Sequence, residues 1–374
     1  MAPHRSARRG TGRRILALVV GLPVATILTV VAVLAAGASA LGPADREPAL
    51  VVASASPTPT PGGSLLATEL RGTRSCFVSL QADGVAPAAA RQWDGALYRD
   101  LPIPRRQGEV FAGWYATPAA AAAHEAVARV NGSKPVACGT TEQTLYGAWM
   151  SPAAAAASGT RVPILMYHQF TTKPGGESGW LRLNYSYVGA FADQMDYLSR
   201  QRFYLPTWDE LDAFIDGALY LPPKSVIVTD DDADPTWETL GVPIVTKARV
   251  LTTSFVITAY RHAPSPSVYV LQRSHTDDMH TAGANGKGRM VNFTVPQIVA
   301  DLRRSIGVLG VAQVLAYPFG QYDANAEQGL RETGFDMAVT TQYGYVRPGA
   351  DKLALPRVRV SYGMTIAQFA AAVG

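Results

Sequence analysis

Val226-Ile227-Val228-Thr229-Asp230-Asp231-Asp232 decides the fold. Four apolar or β-branched residues read as a buried strand, and three carboxylates follow with no turn residue between. The C-terminal ends of strands form the active face of parallel α/β proteins, so an acidic cluster there is a place to look for chemistry. Three adjacent carboxylates repel one another and need a cation or a raised pKa to coexist. Taken alone, the stretch also reads as a solvated acidic loop.

The same texture extends on both sides. Pro163 to Tyr167, Ser254 to Thr258, Val268 to Leu271, Gln313 to Ala316 and Met337 to Val339 read as further strands. Between them, Val188, Phe191, Met195 and Leu198 recur at helical spacing, and Thr207 with Glu210 forms a capping-box pattern. Thr294 caps a helix carrying Ile298, Val299, Leu302 and Ile306, and Asp323 opens another that Gly334 ends. This alternation predicts a mostly parallel α/β sheet, open or closed into a barrel.

Two more strands run into polar residues, at Met166-Tyr167-His168 and at Ser274-His275-Thr276-Asp277-Asp278-Met279-His280. Only six histidines occur in the chain and three fall at these places, which makes incidental polar loops the weaker reading. Histidines five apart converge on one ion from a loop, whereas on a helix they face different ways. An aspartate with two histidines suits Zn²⁺ and leaves a fourth position for water.

Upstream, the composition separates into parts. The 374 residues carry 33 Lys plus Arg against 29 Asp plus Glu, a formal +4. Five of those arginines, Arg5, Arg8, Arg9, Arg13 and Arg14, lie in one short flank, and without them 28 basic residues face 29 acidic ones. The basicity is therefore no sign of a nucleic-acid partner. Behind residues 1–14, the uncharged run 15–36 is long enough to cross a bilayer as a helix, with the basic flank in the cytoplasm. This predicts a single-pass membrane anchor with an extracytoplasmic C-terminal part. Ala38-Ser39-Ala40 offers the alternative of secretion after cleavage near Ala40.

Residues 37–63, with Pro57-Thr58-Pro59-Thr60-Pro61, read as a spacer. Residues 64–155 form a small module of unassigned role holding both cysteines, Cys76 and Cys138. In an exported chain these favour a disulfide over two buried free thiols. Thr117 and Pro118 open an Ala-rich stretch read as a helix over 117–130, with His124 a structural residue inside it. Ser151 to Gly159 reads as a connector into residues 156–374.

Over about residues 162–373 the sequence resembles the polysaccharide deacetylase family, whose module is called the NodB homology domain. Val162-Pro163-Ile164-Leu165-Met166-Tyr167-His168 is similar to the opening strand of the poly-N-acetylglucosamine deacetylase branch. Thr229-Asp230-Asp231-Asp232-Ala233 stands in place of the family's Thr-Phe-Asp-Asp-Gly, and Pro243-Ile244 and Phe255-Val256 follow in register. Ser274-His275-Thr276 through His280 resembles the His-Ser/Thr motif in its longer-spaced form, and Ala316-Tyr317-Pro318-Phe319-Gly320 a common third motif.

The resemblance implies a distorted (β/α) barrel with fewer than eight repeats and metal-dependent removal of N-acetyl groups from a glycan polymer. It implies Asp232, His275 and His280 as ligands of a divalent metal, Zn²⁺ first among them, and Asp231 as general base. It implies His168 as the acid, and Tyr317, Pro318 and Phe319 as the substrate and oxyanion segment. Asp230 and Ala233 depart from the family's Phe and Gly, and Ala316 replaces an arginine that braces the catalytic aspartate in many relatives. A catalytically silent, glycan-binding relative is the alternative function. The polymer is left open among biofilm poly-N-acetylglucosamine, peptidoglycan, chitin fragments and another surface glycan.

Overall fold

The computed structural model describes residues 74–261 and 263–374. The basic flank, the apolar segment 15–36, the site at Ala40 and the spacer 37–63 lie outside the described residues. Among the described residues no helix is long and apolar enough to cross a membrane.

The first part is a sheet. Strands β1 (Ser75–Gln81), β2 (Ala88–Trp93), β3 (Val110–Tyr115), β4 (Arg129–Val130) and β5 (Glu142–Met150) lie in the order β2-β1-β5-β3-β4. β1 pairs parallel with β5, and the other neighbours are antiparallel. Cys76 on β1 is joined to Cys138 just before β5, and both are buried.

The helix expected over 117–130 is realised only as α1 (Pro118–Ala122), with Thr117 accepting the Ala120 N–H as N-cap. His124 takes the left-handed conformation at φ 48°, its N–H bonds Ala121, and the Glu125 N–H bonds Ala120, which closes the helix as a Schellman turn. The physical reason lies downstream. Arg129 is needed in the sheet, where its guanidinium donates to the Tyr220 carbonyl at 2.5 Å and to Glu210 at 3.2 Å, and that tertiary pairing overrides the local helical preference of alanine. Gly113 makes room, since a Cβ there would meet the Arg129 side chain at 2.2 Å.

After α2 (Pro152–Ala157) come β6 (Ile164–Tyr167) and a short parallel pair, β7 (Gln169–Thr171) with β8 (Tyr185–Tyr187). Then follow α3 (Val188–Arg200), α4 (Trp208–Ile215), β9 (Ile227–Asp230), α5 (Val242–Ala248), β10 (Thr252–Val256) and β11 (Val270–Ser274). The chain continues through α6 (Val295–Leu309), β12 (Val314–Ala316), α7 (Ala324–Thr333), β13 (Met337–Tyr343), β14 (Leu355–Arg359) and α8 (Ile366–Val373). The capping box expected at Thr207/Glu210 and the cap at Asp323 are both formed.

Seven parallel strands close a barrel in the order β10-β11-β12-β13-β14-β6-β9, with β9 returning to β10. Side chains alternate across its wall. Ile164, Ile227, Phe255, Val314 and Leu355 join one core, while Leu165, Val228, Val256 and Val358 join a second with residues of α3, α5 and α8. The first core continues into the sheet through Cys76, Val78, Phe111 and Trp114. α4 sits between the two, its Trp208 donating to Thr253 at 2.8 Å and packing on Phe255. Backbone bonds from Phe111 to Ala218 and from Tyr220 to Phe111 add segment 218–220, just upstream of β9, to β3. The sheet thus covers the end of the barrel where β9 enters, leaving the strand C-terminal ends free.

Candidate active site

At the exit of β9 the acidic run is buried, not a solvated loop. Asp230 and Asp231 are both almost wholly shielded from solvent. Alternation along the strand separates their environments. Asp230 continues the face of Val228 toward the helices, where neither carboxylate oxygen has a partner. Burial, and then the neighbouring Asp231 and Asp232, push its carboxyl well above the usual range, so it stays protonated.

Asp231 follows Thr229 to the barrel interior. Burial alone would raise its pKa, but Arg357 of β14 donates Nη1 to one carboxylate oxygen and Nη2 to the other, each at 2.7 Å, and holds it well below the carboxylate range. Arg357 is itself fixed by Nε donating to the Thr340 carbonyl at 2.7 Å and Nη1 to Thr229 Oγ1 at 3.1 Å. The brace missing at Ala316 is therefore supplied from another strand. Sequence reasoning missed Arg357 because Pro356 and two arginines spoil the strand pattern over 355–359. A register irregularity between Val339 and Tyr343 of the partner strand accompanies that proline.

The chain turns sharply after Asp231, with Asp232 at φ 74° and Ala233 at φ 47°. Alanine thus adopts the left-handed conformation that glycine favours, a strain of about 1 kcal/mol. The turn swings Asp232 toward the β11 exit, where its Oδ1 lies 3.3 Å from His275 Nε2 and 3.2 Å from His280 Nε2. One candidate ligand atom from each of the three residues lies within 4.8 Å of the others.

These residues suit a divalent ion. His275 Nδ1 sits 2.7 Å from the Ala316 carbonyl, which in a neutral ring places the proton on Nδ1 and leaves the Nε2 lone pair facing Asp232. Asp232 Oδ1 is buried without a hydrogen-bond partner while two imidazole nitrogens lie 3.2 and 3.3 Å from it, so an anionic oxygen and two ring nitrogens converge. Burial lowers the His280 pKa to about 4 and keeps that ring neutral, whereas at His275 burial is outweighed by Asp232 and Asp231, which raise its pKa, so an ion bound there would displace a proton.

His168, at the exit of β6, places Nε2 3.9 Å from Asp231 Oδ2. Burial lowers its pKa, and the attraction of Asp231 and Asp232 offsets that only in part. Phe319 stands over the other side, its ring 4.3 Å from that of His280, in a left-handed backbone conformation at φ 58°. Tyr317 does not join the cleft. Its side chain is buried among Met279, Leu315 and Leu330, stacked on Tyr322, and its N–H is bonded to Val339. The alternation that points Ala316 into the barrel sends Tyr317 outward, which corrects its reading as a substrate residue. Pro318 is buried between the two.

A parallel barrel with a carboxylate-histidine cluster at its strand exits defines the class. No family model matches the chain. It is 25% identical over 163 residues to a poly-β-1,6-N-acetyl-D-glucosamine N-deacetylase of Staphylococcus epidermidis, covering 37% of this chain and 56% of that protein. The enzyme of the same name from Staphylococcus aureus is 23% identical over the same shares. This chain thus spans little more than half the length of the curated relatives it matches. Its fold is shared with the Streptococcus pyogenes deacetylase PplD, solved in complex with acetate, at a TM-score of 0.50 and 19% identity over 57% of this chain and 99% of that one. The likeness to PplD is one of fold, and the likeness in sequence to the two N-deacetylases is confined to 163 residues.

Proposed function

We propose that the chain is a metal-dependent N-deacetylase acting on N-acetylglucosamine-containing cell-surface polysaccharide. The observation that carries this reading is the convergence of Asp232, His275 and His280 beside an Arg357-held Asp231 and the imidazole of His168. Asp232, His275 and His280 would hold the ion, for which Zn²⁺ is our first choice. A bound divalent ion supplies a water of lowered pKa and polarises a carbonyl oxygen.

The remaining work falls to this chain's own groups. Asp231, kept ionised by Arg357, accepts the proton of the attacking water. His168, on the same side of the cleft, gives a proton to the departing amine nitrogen. We assign the stabilisation of the oxyanion that develops on the acetyl group to the backbone N–H at Phe319. Exposed aromatic residues border the barrel mouth, with Trp180 90% exposed after β7, Tyr260 after β10 and Tyr343 74% exposed at the end of β13. Such surfaces suit the apolar faces of successive sugar rings, in keeping with a polymer substrate. We further propose that this unit works outside the cytoplasm, tethered by residues 15–36 or released near Ala40.

Acetate release from β-1,6-linked N-acetylglucosamine oligomers tests the reading. Release is expected from the wild type, with loss on chelation, recovery on adding Zn²⁺, and near-abolition by Asp231→Asn. Glycan binding without acetate release would instead identify a catalytically silent module.

A further inference from the structure

The two histidines of the cluster are separated by Thr276, Asp277, Asp278 and Met279, and this turn has no glycine to shape it. Thr276 sits at φ 70°, a conformation costly for a β-branched residue, so the turn must be held from outside. Asp301 on α6 does this. Its carboxylate is 1% exposed and accepts two successive backbone N–H groups, Asp277 at 2.8 Å on Oδ1 and Asp278 at 3.0 Å on Oδ2. Arg304, one turn on, donates to Asp301 at 3.1 Å and to the Asp277 side chain at 2.7 Å. Ser274 Oγ, itself 2.8 Å from Ser305 of the same helix, accepts the Thr276 N–H.

We propose that Asp301 is a positioning residue for the metal centre, clamping the turn so that His275 and His280 both present Nε2 to Asp232. The inference rests on the metal reading of those three residues. A carboxylate that takes two consecutive amides fixes the peptide planes between the histidines, and so fixes the angle between their rings. In this structure the two ring centroids are 4.7 Å apart. Without the clamp the turn relaxes toward ordinary φ values and His280 moves relative to His275, leaving a site that binds its ion more weakly while the barrel stays closed.

The test is Zn²⁺ affinity by chelator competition, together with the visible spectrum of the Co²⁺-loaded protein, for wild type, Asp232→Ala, Asp301→Ala, Asp301→Asn and Arg304→Ala. Affinity is expected to fall about 10- to 100-fold in Asp301→Ala. Asp301→Asn, which retains one acceptor, is expected to lose less. Arg304→Ala, an exposed position that leaves the fold intact, should weaken binding by a smaller factor and shift the Co²⁺ bands. If the metal-free Asp301→Ala protein melts earlier yet binds Zn²⁺ as tightly as wild type, Asp301 is merely structural and the clamp is overturned. Should Asp301→Ala fail to fold, unchanged affinity and spectrum in Asp301→Asn and Arg304→Ala overturn it equally. A wild type that binds neither ion, or binds no better than Asp232→Ala, overturns the metal reading and the clamp with it.

Discussion

Arg357 grips both oxygens of Asp231 from a strand that closes the barrel two positions away, at 2.7 Å on each. Removing one partner of a fully buried pair leaves an uncompensated charge, so Arg357→Met is expected to destabilise the fold by about 3–5 kcal/mol in urea unfolding. Arg357→Lys keeps the charge without the fork, and we expect it to fold but to lose on the order of 10²-fold in kcat. The stabilising effect of the Asp231 pair is present above the unfolded-state carboxylate pKa and is lost as pH falls through its depressed native value. Wild type and Arg357→Lys should therefore converge in stability only under strongly acidic conditions.

His168 makes the pH profile diagnostic. Its native pKa lies below the usual 6.5 because burial disfavours the cation. As the proton donor it must be charged, so kcat/KM is expected to fall as pH rises through a value below 6.5. In His168→Asn this limb should vanish, and activity should drop by roughly 10²- to 10⁴-fold. A limb that persists in the variant would assign the titration to another group.

Asp230 carries the opposite sign. It is a carboxyl whose native pKa is raised, so above about pH 4 the unfolded chain releases a proton that the native state retains, and stability falls as pH rises toward the native value. Asp230→Asn has nothing to ionise. It is expected to be more stable than wild type at neutral pH, by about 1–3 kcal/mol, with the difference vanishing near pH 4. Urea midpoints at the two pH values decide it.

Trp180 is displayed from a loop that is pinned at its base. Arg182 lies over Tyr362 at 4.9 Å, Tyr362 donates to the Pro174 carbonyl at 2.5 Å, and Asn184 accepts from Arg359. Trp180→Ala is expected to raise KM several-fold for long oligomers and to leave the shortest cleaved oligomer unaffected. Equal effects at every length would remove it from polymer binding.

Much of this was legible in the chain before folding. Strand exits are marked by an abrupt change from apolar to polar residues, and that alone brought His168, Asp231, Asp232, His275 and His280 to notice. The helix over 295–309 declared itself through its cap and periodicity. What stayed hidden depends on partners far away in sequence. Arg357 lies 126 residues from Asp231 in a strand with a proline, and Asp301 looks like any helical carboxylate until its two amides are seen. The Ala-rich stretch misled because alanine records only local preference, whereas Arg129 answers to Glu210. Tyr317 misled because a motif fixes position along the chain but not the face of the strand.

A change of texture near residue 156 invites cutting there, to express the barrel alone. Such a fragment would keep Glu210, now stripped of Arg129 and of the Asn131 amide that donates to its other oxygen, and would bare the floor of the barrel around Trp208. The seam visible in the sequence does not divide the packing: among the described residues one compact unit with a shared core crosses it.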